Sequence, residues 1–253
     1  MNIAVLVKSI PDPNGEAELG ADLLVEREGE GTLDPGDEYA VEAALQLAEG
    51  SEGEVTVVSM GPEGAAAAIR RALSMGADRA VRITDDALRG SDVLATARVL
   101  AAALARGPFD LVLSGVESTD GYTGTLPMAV AELIGVPAVT FARTLDVIEG
   151  GIRVERQTEA GYDVVESALP ALVTVTAAAT EPRYPTLKGI MGAKQKPMET
   201  LSLADLSLSP DDVAATQRVA AVEPAPQKGA GEIVQGDAAA GRVADLLAEA
   251  KVI

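Results

Sequence analysis

Short apolar runs alternate with longer segments of helical periodicity over the first two-thirds of the chain. The apolar runs are near-continuous, as in strands buried on both faces of a parallel sheet, and they lie at 2–8, 54–60, 79–83 and 110–115. The helical segments between and after them lie at 33–50, 62–76, 91–107 and 123–135. In the first of these, Asp34 is a predicted N-cap, Pro35 the first helical residue and Gly50 the stop. Strands separated by helices require crossover connections, so the pattern predicts an α/β fold with a mainly parallel sheet and helices on both faces.

The pattern changes at about residue 138. Apolar and polar residues alternate over 138–170, which is typical of antiparallel hairpins, and 170–177 is again a buried strand that returns to the main sheet. A Pro-, Gly- and Gln-rich stretch at 223–236 then leads to an amphipathic helix at 237–251. We therefore expect one α/β domain over 1–222, followed by a linker and helix at 223–253 that form a domain of their own or pack on a partner.

The segment "TEPRYPTLKGIMGAKQKP", residues 180–197, differs from the rest of the chain. It has three prolines and two glycines, and its bases are Arg183, Lys188, Lys194 and Lys196, with no acid from Arg183 to Lys196. The whole chain is strongly acidic, with 39 acids, 20 bases and a net charge of −19. The charge balance of the whole chain therefore does not account for this basic, turn-rich segment.

Composition excludes several classes of site. The chain has no Cys and no His, so it cannot build a Cys/His zinc site, a disulfide or a Ser-His-Asp triad. The negative charge disfavours nucleic acid as a partner. No apolar run approaches the roughly 20 residues that cross a bilayer, and the N-terminus has no charged leader, so we expect a soluble, cytoplasmic protein without a bound metal.

The loops that follow the strands are the candidate ligand site. In a doubly wound sheet, ligands bind outside the carboxyl ends of the strands. The loop "SGVESTDGYTG" offers hydroxyl groups and glycines that allow close backbone approach, and it is joined there by the segments "KSIPDPNG", "MGPEG" and "LDPGDE". Backbone N–H groups and helix N-termini in such loops can hold a phosphate. Neither a P-loop nor a G-x-G-x-x-G motif is present, so ordinary connections and nucleotide binding without turnover both remain open.

Six blocks, in one order along the whole chain, resemble the beta subunit of electron transfer flavoprotein. They are "VKSIPD", "LDPGDEYAVEAAL", "VTVVSMGPE" with "IRRALSMGADRAVRI", "DLVLSGVESTDGYTG", "RVERQTEAGYDVVESALPALVTV" and "EPRYPTLKGIMGAKQKP". The resemblance implies an adenine-nucleotide-binding α/β domain in a heterodimer with an alpha subunit. It also implies an electron carrier rather than an enzyme with its own substrate.

The resemblance further implies the cofactors and partners. FAD is held mainly by the alpha subunit, and AMP is buried in the beta subunit. Electrons come from acyl-CoA and other flavin dehydrogenases and pass to a membrane quinone oxidoreductase of the respiratory chain.

The residues that match the family's sites fall into two sets. Those matching the AMP site are Leu6, Asp34, Pro35, Gly36, Asp37, Met60, Gly115, Val116, Glu117, Ser118, Thr119, Asp120, Gly121, Tyr122 and Thr123. Those matching the loop that docks partner dehydrogenases are Arg183, Tyr184, Leu187, Lys188, Ile190 and Met191. The resemblance makes Leu187 the side chain that inserts into the partner.

Two positions and one loop depart from the pattern of many family members. Gln157 stands where many have an acid that tethers the flavin domain, and Pro13 where some have an aromatic near the flavin. The loop "STDGYTG" resembles the D-G-x-T form rather than the longer Asn-Gln form of mitochondrial relatives, and electron-bifurcating members, which bind a second FAD in the beta site, also use a D-G-D-T form. A bifurcating flavoprotein therefore stays open as a function, and a free-standing adenine-nucleotide sensor is a second alternative.

Overall fold

A computed structural model gives the structure of the chain. It describes residues 1–15, 18–27, 29–51, 53–223, 225, 231, 233–236 and 238–253. Part of the stretch 223–236 and residue 237 of the predicted C-terminal helix lie outside these residues. The chain divides into two compact units, Met1–Ala220 and Ala221–Ile253.

Eleven strands and five helices are described in the first unit, and one helix in the second. The strands are β1 (Asn2–Leu6), β2 (Ser9–Ile10), β3 (Thr32–Leu33), β4 (Glu54–Met60), β5 (Arg79–Ile83), β6 (Leu111–Gly115), β7 (Ala138–Ile148), β8 (Gly151–Thr158), β9 (Gly161–Ala168), β10 (Ala171–Val175) and β11 (Met198–Leu201). The helices are α1 (Pro35–Glu49), α2 (Ala66–Met75), α3 (Val93–Leu104), α4 (Leu126–Ile134), α5 (Leu187–Ala193) and, in the second unit, α6 (Ala238–Glu249).

The main sheet has nine strands in the order β11-β5-β4-β1-β6-β10-β7-β8-β9. The pairs from β11 to β7 are parallel, and β7-β8-β9 is an antiparallel meander. The chain runs outward from β1 through β4 to β5 and then returns to β6 on the other side of β1. The strand order therefore reverses between β1 and β6, and the predicted α/β class is confirmed.

Two aliphatic cores lie on the two faces of this sheet. Ile3 and Val5 of β1 point into the core that contains α1 and α2. Ala4 and Leu6 point into the core that contains α3 and α4. Alternate residues of one buried strand thus serve opposite layers, which is why the strand is apolar throughout.

Several boundaries differ from the sequence expectation. The helix expected from Pro62 begins as a 3₁₀ turn at Glu63–Ala65 and becomes α-helical only at Ala66. The strands β2, β3 and β11 have no counterpart in the expected pattern, since each has only two to four residues. The hairpins and the returning strand β10 are where the sequence predicts them.

The segment 180–197 is a crossover from β10 to β11 and contains a helix. These two strands lie five positions apart in the sheet, about 24 Å at the usual strand spacing, and the segment spans them over the outside of α1 and α2. The expectation of a loop throughout is wrong for Leu187–Ala193, which form α5 behind the N-cap Thr186. The sequence did not predict this helix because two of its seven residues are glycine, which has low helix propensity.

Among the described residues, no helix is long and apolar enough to cross a membrane.

Candidate functional site

A cavity of about 250 Å³ lies at the carboxyl ends of β1 and β6, where the strand order reverses. It includes the end of β1, the first turns of α1 and α3, and the loop 115–124. Its apolar wall is formed by Leu6, Met60, Val93, Leu100, Leu126 and Pro127. The cavity is therefore where sheet geometry predicts a ligand.

Two cations and one carboxylate line the polar side of this cavity. Asp120 accepts a hydrogen bond from Nζ of Lys8 at 3.2 Å and forms a close ion pair with Arg27. Burial, followed by the neighbouring Arg27, lowers the pKa of Lys8, while Asp120 opposes that shift. Asp92 and Glu117 add two further carboxylates to the lining.

Asp37 is buried at the first turn of α1 and also lines the cavity. Its carboxylate accepts hydrogen bonds from the backbone N–H of Lys8 at 2.6 Å and of Gly115 at 3.2 Å. Burial raises the pKa of Asp37 to about 8, with Asp34 adding to the shift and the two N–H donors and Lys8 opposing it. Near neutral pH the group is therefore largely protonated, and the two cations face less negative charge than the sequence suggests.

Asp34 joins the start of α1 to the loop 115–124. It is fully buried and caps α1 by accepting from the N–H of Gly36 at 2.8 Å. Its other oxygen accepts from both the backbone N–H and the hydroxyl of Thr119, at 2.7 and 2.8 Å. The predicted N-cap is confirmed, and the same side chain fixes the loop that forms one wall of the cavity.

The predicted AMP-site residues divide into cavity-lining and supporting positions. Those that line the cavity are Leu6, Asp37, Met60, Gly115, Glu117, Ser118, Asp120, Gly121 and Thr123. The positions beside the cavity are Asp34, Pro35, Gly36, Val116, Thr119 and Tyr122, and the Tyr122 side chain is exposed.

Sequence reasoning missed the cations Lys8 and Arg27, since it expected phosphate binding by backbone groups alone. Lys8 was detectable because it lies two residues after the end of β1, at the carboxyl edge of the sheet. No local signal marks Arg27, which reaches Asp120 from a long polar connection between β2 and β3.

Ser114 provides a further sign of a ligand in this cavity. It is buried and lines the cavity on β6, and its hydroxyl finds no hydrogen-bond partner within the part of the chain that the structure describes. A buried hydroxyl without a partner is costly, so its position suits a polar ligand atom.

A larger cavity, of about 950 Å³, lies at the opposite edge of the sheet. It lies beside the amino ends of β6 and β10, against the last turns of α3 and α4, and none of the predicted site residues lines it. Its position away from the strand carboxyl ends makes it the weaker candidate despite its size.

Apolar side chains on and beside α5 form an exposed patch. Tyr184, Leu187, Ile190 and Met191 are 87%, 75%, 50% and 67% exposed. Lys188 and Lys194 are exposed around them. These four apolar residues are called the docking patch below.

The other two bases of the segment are engaged within the chain. Arg183 forms ion pairs with Glu42 and Glu49 of α1. Nζ of Lys196 donates to backbone carbonyl oxygens at the end of α2. Two of the four bases therefore attach the segment to the rest of the chain, while Lys188 and Lys194 are exposed.

The fold and the cavity together define a doubly wound α/β protein with an open, partly cationic cavity at the switch point of its sheet. That arrangement is typical of nucleotide-binding domains. Residues 22–206 match the Electron transfer flavoprotein domain family, and the chain belongs to this family.

Curated relatives cover the chain from end to end. The Electron transfer flavoprotein subunit beta of Mycobacterium bovis is 42% identical over 100% of this chain and 99% of its own length. The protein of the same name from Bacillus subtilis is 37% identical over 100% of both chains. The Caffeyl-CoA reductase-Etf complex subunit CarD of Acetobacterium woodii is 36% identical over 93% of this chain and 92% of its own.

Proposed function

We propose that the chain is the beta subunit of a heterodimeric electron transfer flavoprotein. In this proposal the heterodimer accepts electrons from flavin dehydrogenases of the acyl-CoA dehydrogenase type. It passes them to a membrane quinone oxidoreductase and so to the respiratory chain. FAD, held mainly by the alpha subunit, supplies the redox chemistry, and the beta chain supplies rigid docking and support.

The docking patch is the observation that carries this proposal. Four apolar side chains stand exposed beside two exposed lysines on a short helix. A central apolar anchor within a polar rim is typical of small interfaces at which one or two residues dominate the binding energy. An electron carrier that serves several dehydrogenases needs such a compact surface, because each contact is brief.

The cavity at the switch point is the proposed AMP site. Its apolar wall suits an adenine ring, while Lys8, Arg27 and the hydroxyls of Ser114, Ser118 and Thr123 suit the ribose and phosphate. Asp37, Asp92, Glu117 and Asp120 also line the cavity. With Asp37 largely protonated near neutral pH, two cations and three carboxylates remain charged there, a smaller excess of acids than in the whole chain, which has 39 acids and 20 bases.

The hairpins and the second unit are the proposed contacts with the alpha subunit. The outer strand β9 leaves Tyr162 and Val164 exposed. The helix α6 presents exposed Val243, Leu246 and Leu247. Apolar side chains of this size, on a hairpin edge and on an amphipathic helix, suit burial against a partner chain.

Co-expression with an alpha subunit tests the proposal directly. The purified heterodimer is denatured, and the released nucleotides are identified and counted. One FAD and one AMP per heterodimer are expected. A beta chain that purifies alone, without affinity for a flavoprotein subunit, would contradict the proposal.

Two FAD molecules per heterodimer would instead support a second candidate, an electron-bifurcating flavoprotein. The similarity to CarD, which is named as a subunit of a caffeyl-CoA reductase complex, favours this candidate over a free-standing nucleotide sensor.

Replacing Leu187 tests the docking patch. Leu187→Ala removes an exposed apolar side chain without leaving a cavity in the core, so folding and FAD content should not change. Electron acceptance from an acyl-CoA dehydrogenase should fall by about tenfold or more, in line with the loss of a central interface residue. Stopped-flow reduction of the heterodimer measures this, and equal rates for variant and wild type would contradict the docking role.

A further inference from the structure

The crossover that carries the docking patch is attached to the molecule on both sides of α5. Arg183 lies before the helix and contacts α1, and Lys196 lies after it and contacts the end of α2. The attachments therefore involve the two helices over which the segment passes.

Arg183 attaches the first end through several hydrogen bonds. Its Nε and Nη2 donate to the two oxygens of Glu42 at 2.7 and 3.0 Å, and its backbone N–H donates to Glu42 at 3.2 Å. The side chain of Glu42 is only 4% exposed. Nη1 of Arg183 also donates to Glu49 at 2.6 Å. The two-point contact fixes both the position and the orientation of the chain entering α5.

Lys196 attaches the second end to the last turn of α2. Its Nζ donates to the carbonyl oxygens of Leu73, Gly76 and Ala77 at 3.0, 3.0 and 2.6 Å. These are groups that a helix C-terminus leaves without partners, and the negative end of the helix dipole favours a cation there. All three donor positions of the ammonium group are used, so Lys196 is held as firmly as a side chain of this kind can be.

The helix between these two residues has few side chains with which to fix its own position. α5 has seven residues, two of them glycine, and isolated helices of this length are marginal in water. It packs on α2 through small residues, since Ala193 is buried in the shared core and an added Cβ at Gly189 would lie 2.5 Å from the carbonyl oxygen of Ser74. The attachments at each end therefore add to this contact in fixing the orientation of the patch.

We infer that Arg183 and Lys196 are positioning residues that hold the docking patch in its binding orientation. This inference rests on the proposed docking function. A surface fixed before the partner arrives avoids the entropy cost of ordering it during association. Loss of an attachment should therefore weaken binding of the partner while leaving the composition of the patch and the later electron transfer unchanged.

Lys196→Met and Lys194→Met form a matched pair for the test. Both remove one positive charge from the same segment, but Lys194 is exposed whereas Lys196 holds three carbonyls. Each variant heterodimer is assayed as acceptor for an acyl-CoA dehydrogenase reduced with octanoyl-CoA. Lys196→Met should raise the KM for the flavoprotein about tenfold, equivalent to about 1.4 kcal/mol of binding, with kcat unchanged. Lys194→Met removes a charge from the rim of the patch without removing an attachment, so any rise in its KM measures the contribution of that charge, and Lys196→Met should raise the KM clearly further.

Tryptic cleavage after Lys188 gives a readout independent of electron transfer. Lys188 lies in α5 and is exposed, so the protease cuts there only when the helix opens. Cleavage should be faster in Lys196→Met than in Lys194→Met and wild type. Lys196→Arg, which keeps a cationic donor, should restore slow cleavage. Arg183→Gln tests the other attachment by the same two measurements.

The outcomes separate this inference from the docking function. If Leu187→Ala leaves the KM unchanged, the docking function itself is wrong. If Leu187→Ala raises the KM but Lys196→Met matches Lys194→Met in both KM and cleavage rate, the docking function stands and the positioning role is overturned. If Lys196→Met does not assemble, Arg183→Gln decides in the same way, since its failure to change either measurement overturns the inference.

Discussion

At the scale of single residues, the two buried acids at the start of α1 have different roles. Asp34 accepts hydrogen bonds from Gly36 and Thr119 and joins a helix to a loop. Asp37 is also buried, yet it accepts only two backbone N–H groups, and burial dominates its pKa. Three residues apart on one helix, the first acts as a connector and the second as a proton-binding group in the cavity wall.

Asp37 makes stability depend on pH in a direction that is unusual for a carboxyl group. Its pKa is about 8 in the folded chain against the usual value of 3.8. Between these values the folded state binds the extra proton, so the free energy of unfolding falls as pH rises through this window. For Asp37→Asn this contribution disappears. Relative to that variant, the free energy of unfolding of wild type should fall by on the order of 1 kcal/mol per pH unit between about pH 5 and pH 7.

Urea unfolding of both proteins at several pH values measures the difference. Asp92 serves for comparison, because its pKa is shifted in the opposite direction. Hydrogen bonds from Ala95, Thr216 and Gln217 outweigh burial and lower its pKa to about 2. Its stabilising contribution is complete above about pH 4 and is lost only as pH falls toward 2. A constant difference between wild type and Asp37→Asn across pH 5 to 7 would show that Asp37 is ionised throughout.

At the scale of elements, the packing of α5 on α2 depends on one glycine. The Cβ of any residue at Gly189 would meet the carbonyl oxygen of Ser74 at 2.5 Å, whereas a Cβ at Gly192 in the same helix meets nothing within 4 Å. The two positions share one helix and differ only in the face they occupy. Substitutions at these two positions therefore distinguish the effect of helix propensity from the effect of packing.

Gly189→Ala and Gly192→Ala should have opposite effects. Gly192→Ala gains helix propensity and should stabilise the chain by up to about 1 kcal/mol. Gly189→Ala must move α5 away from α2, which should destabilise the chain by about 1 to 3 kcal/mol and raise tryptic cleavage after Lys188. Denaturant unfolding compares them. Equal stabilisation by both changes would mean that α5 moves without cost.

The elements that the sequence predicts well are those with an extended apolar pattern. The strands β1, β4, β5, β6 and β10 and the helices α1 to α4 are each fixed by burial in a large core, so their composition reveals them. β11 and α5 are short and partly exposed, and tertiary contacts form them. For the same reason the loop positions around the cavity follow from sheet geometry, whereas Arg27 comes from a connection that has no periodic pattern.

At the scale of the whole molecule, the two units have separate roles in the proposed function. Every buried residue of the two cores lies within Met1–Ala220. In the second unit, Ala221–Ile253, none of the residues of α6 is buried. The first unit therefore has what it needs to fold, and the second is available for the alpha subunit.

Deleting Ala221–Ile253 tests this division. The remaining chain should unfold cooperatively with a Tm within about 4 °C of the full chain, since no core residue is lost. It should fail to co-purify with the alpha subunit, or be lost from it in dilute solution. Calorimetry and gel filtration measure the two effects. If the deletion unfolds the first unit, the two units do not have separate roles. If the shortened chain binds the alpha subunit normally, the interface lies elsewhere.

The helix α1 sets the separation between the cavity and the docking patch. Asp37 in its first turn faces the cavity, and Glu42 and Glu49 further along hold Arg183 at the base of the crossover. From Asp37 to Glu49 the helix rises by about 18 Å, at 1.5 Å per residue. In the proposed function, this one helix holds the nucleotide site and the surface for the dehydrogenase at a constant distance from each other. A partner on the docking patch would then be separated from the ligand in the cavity by the length of this helix.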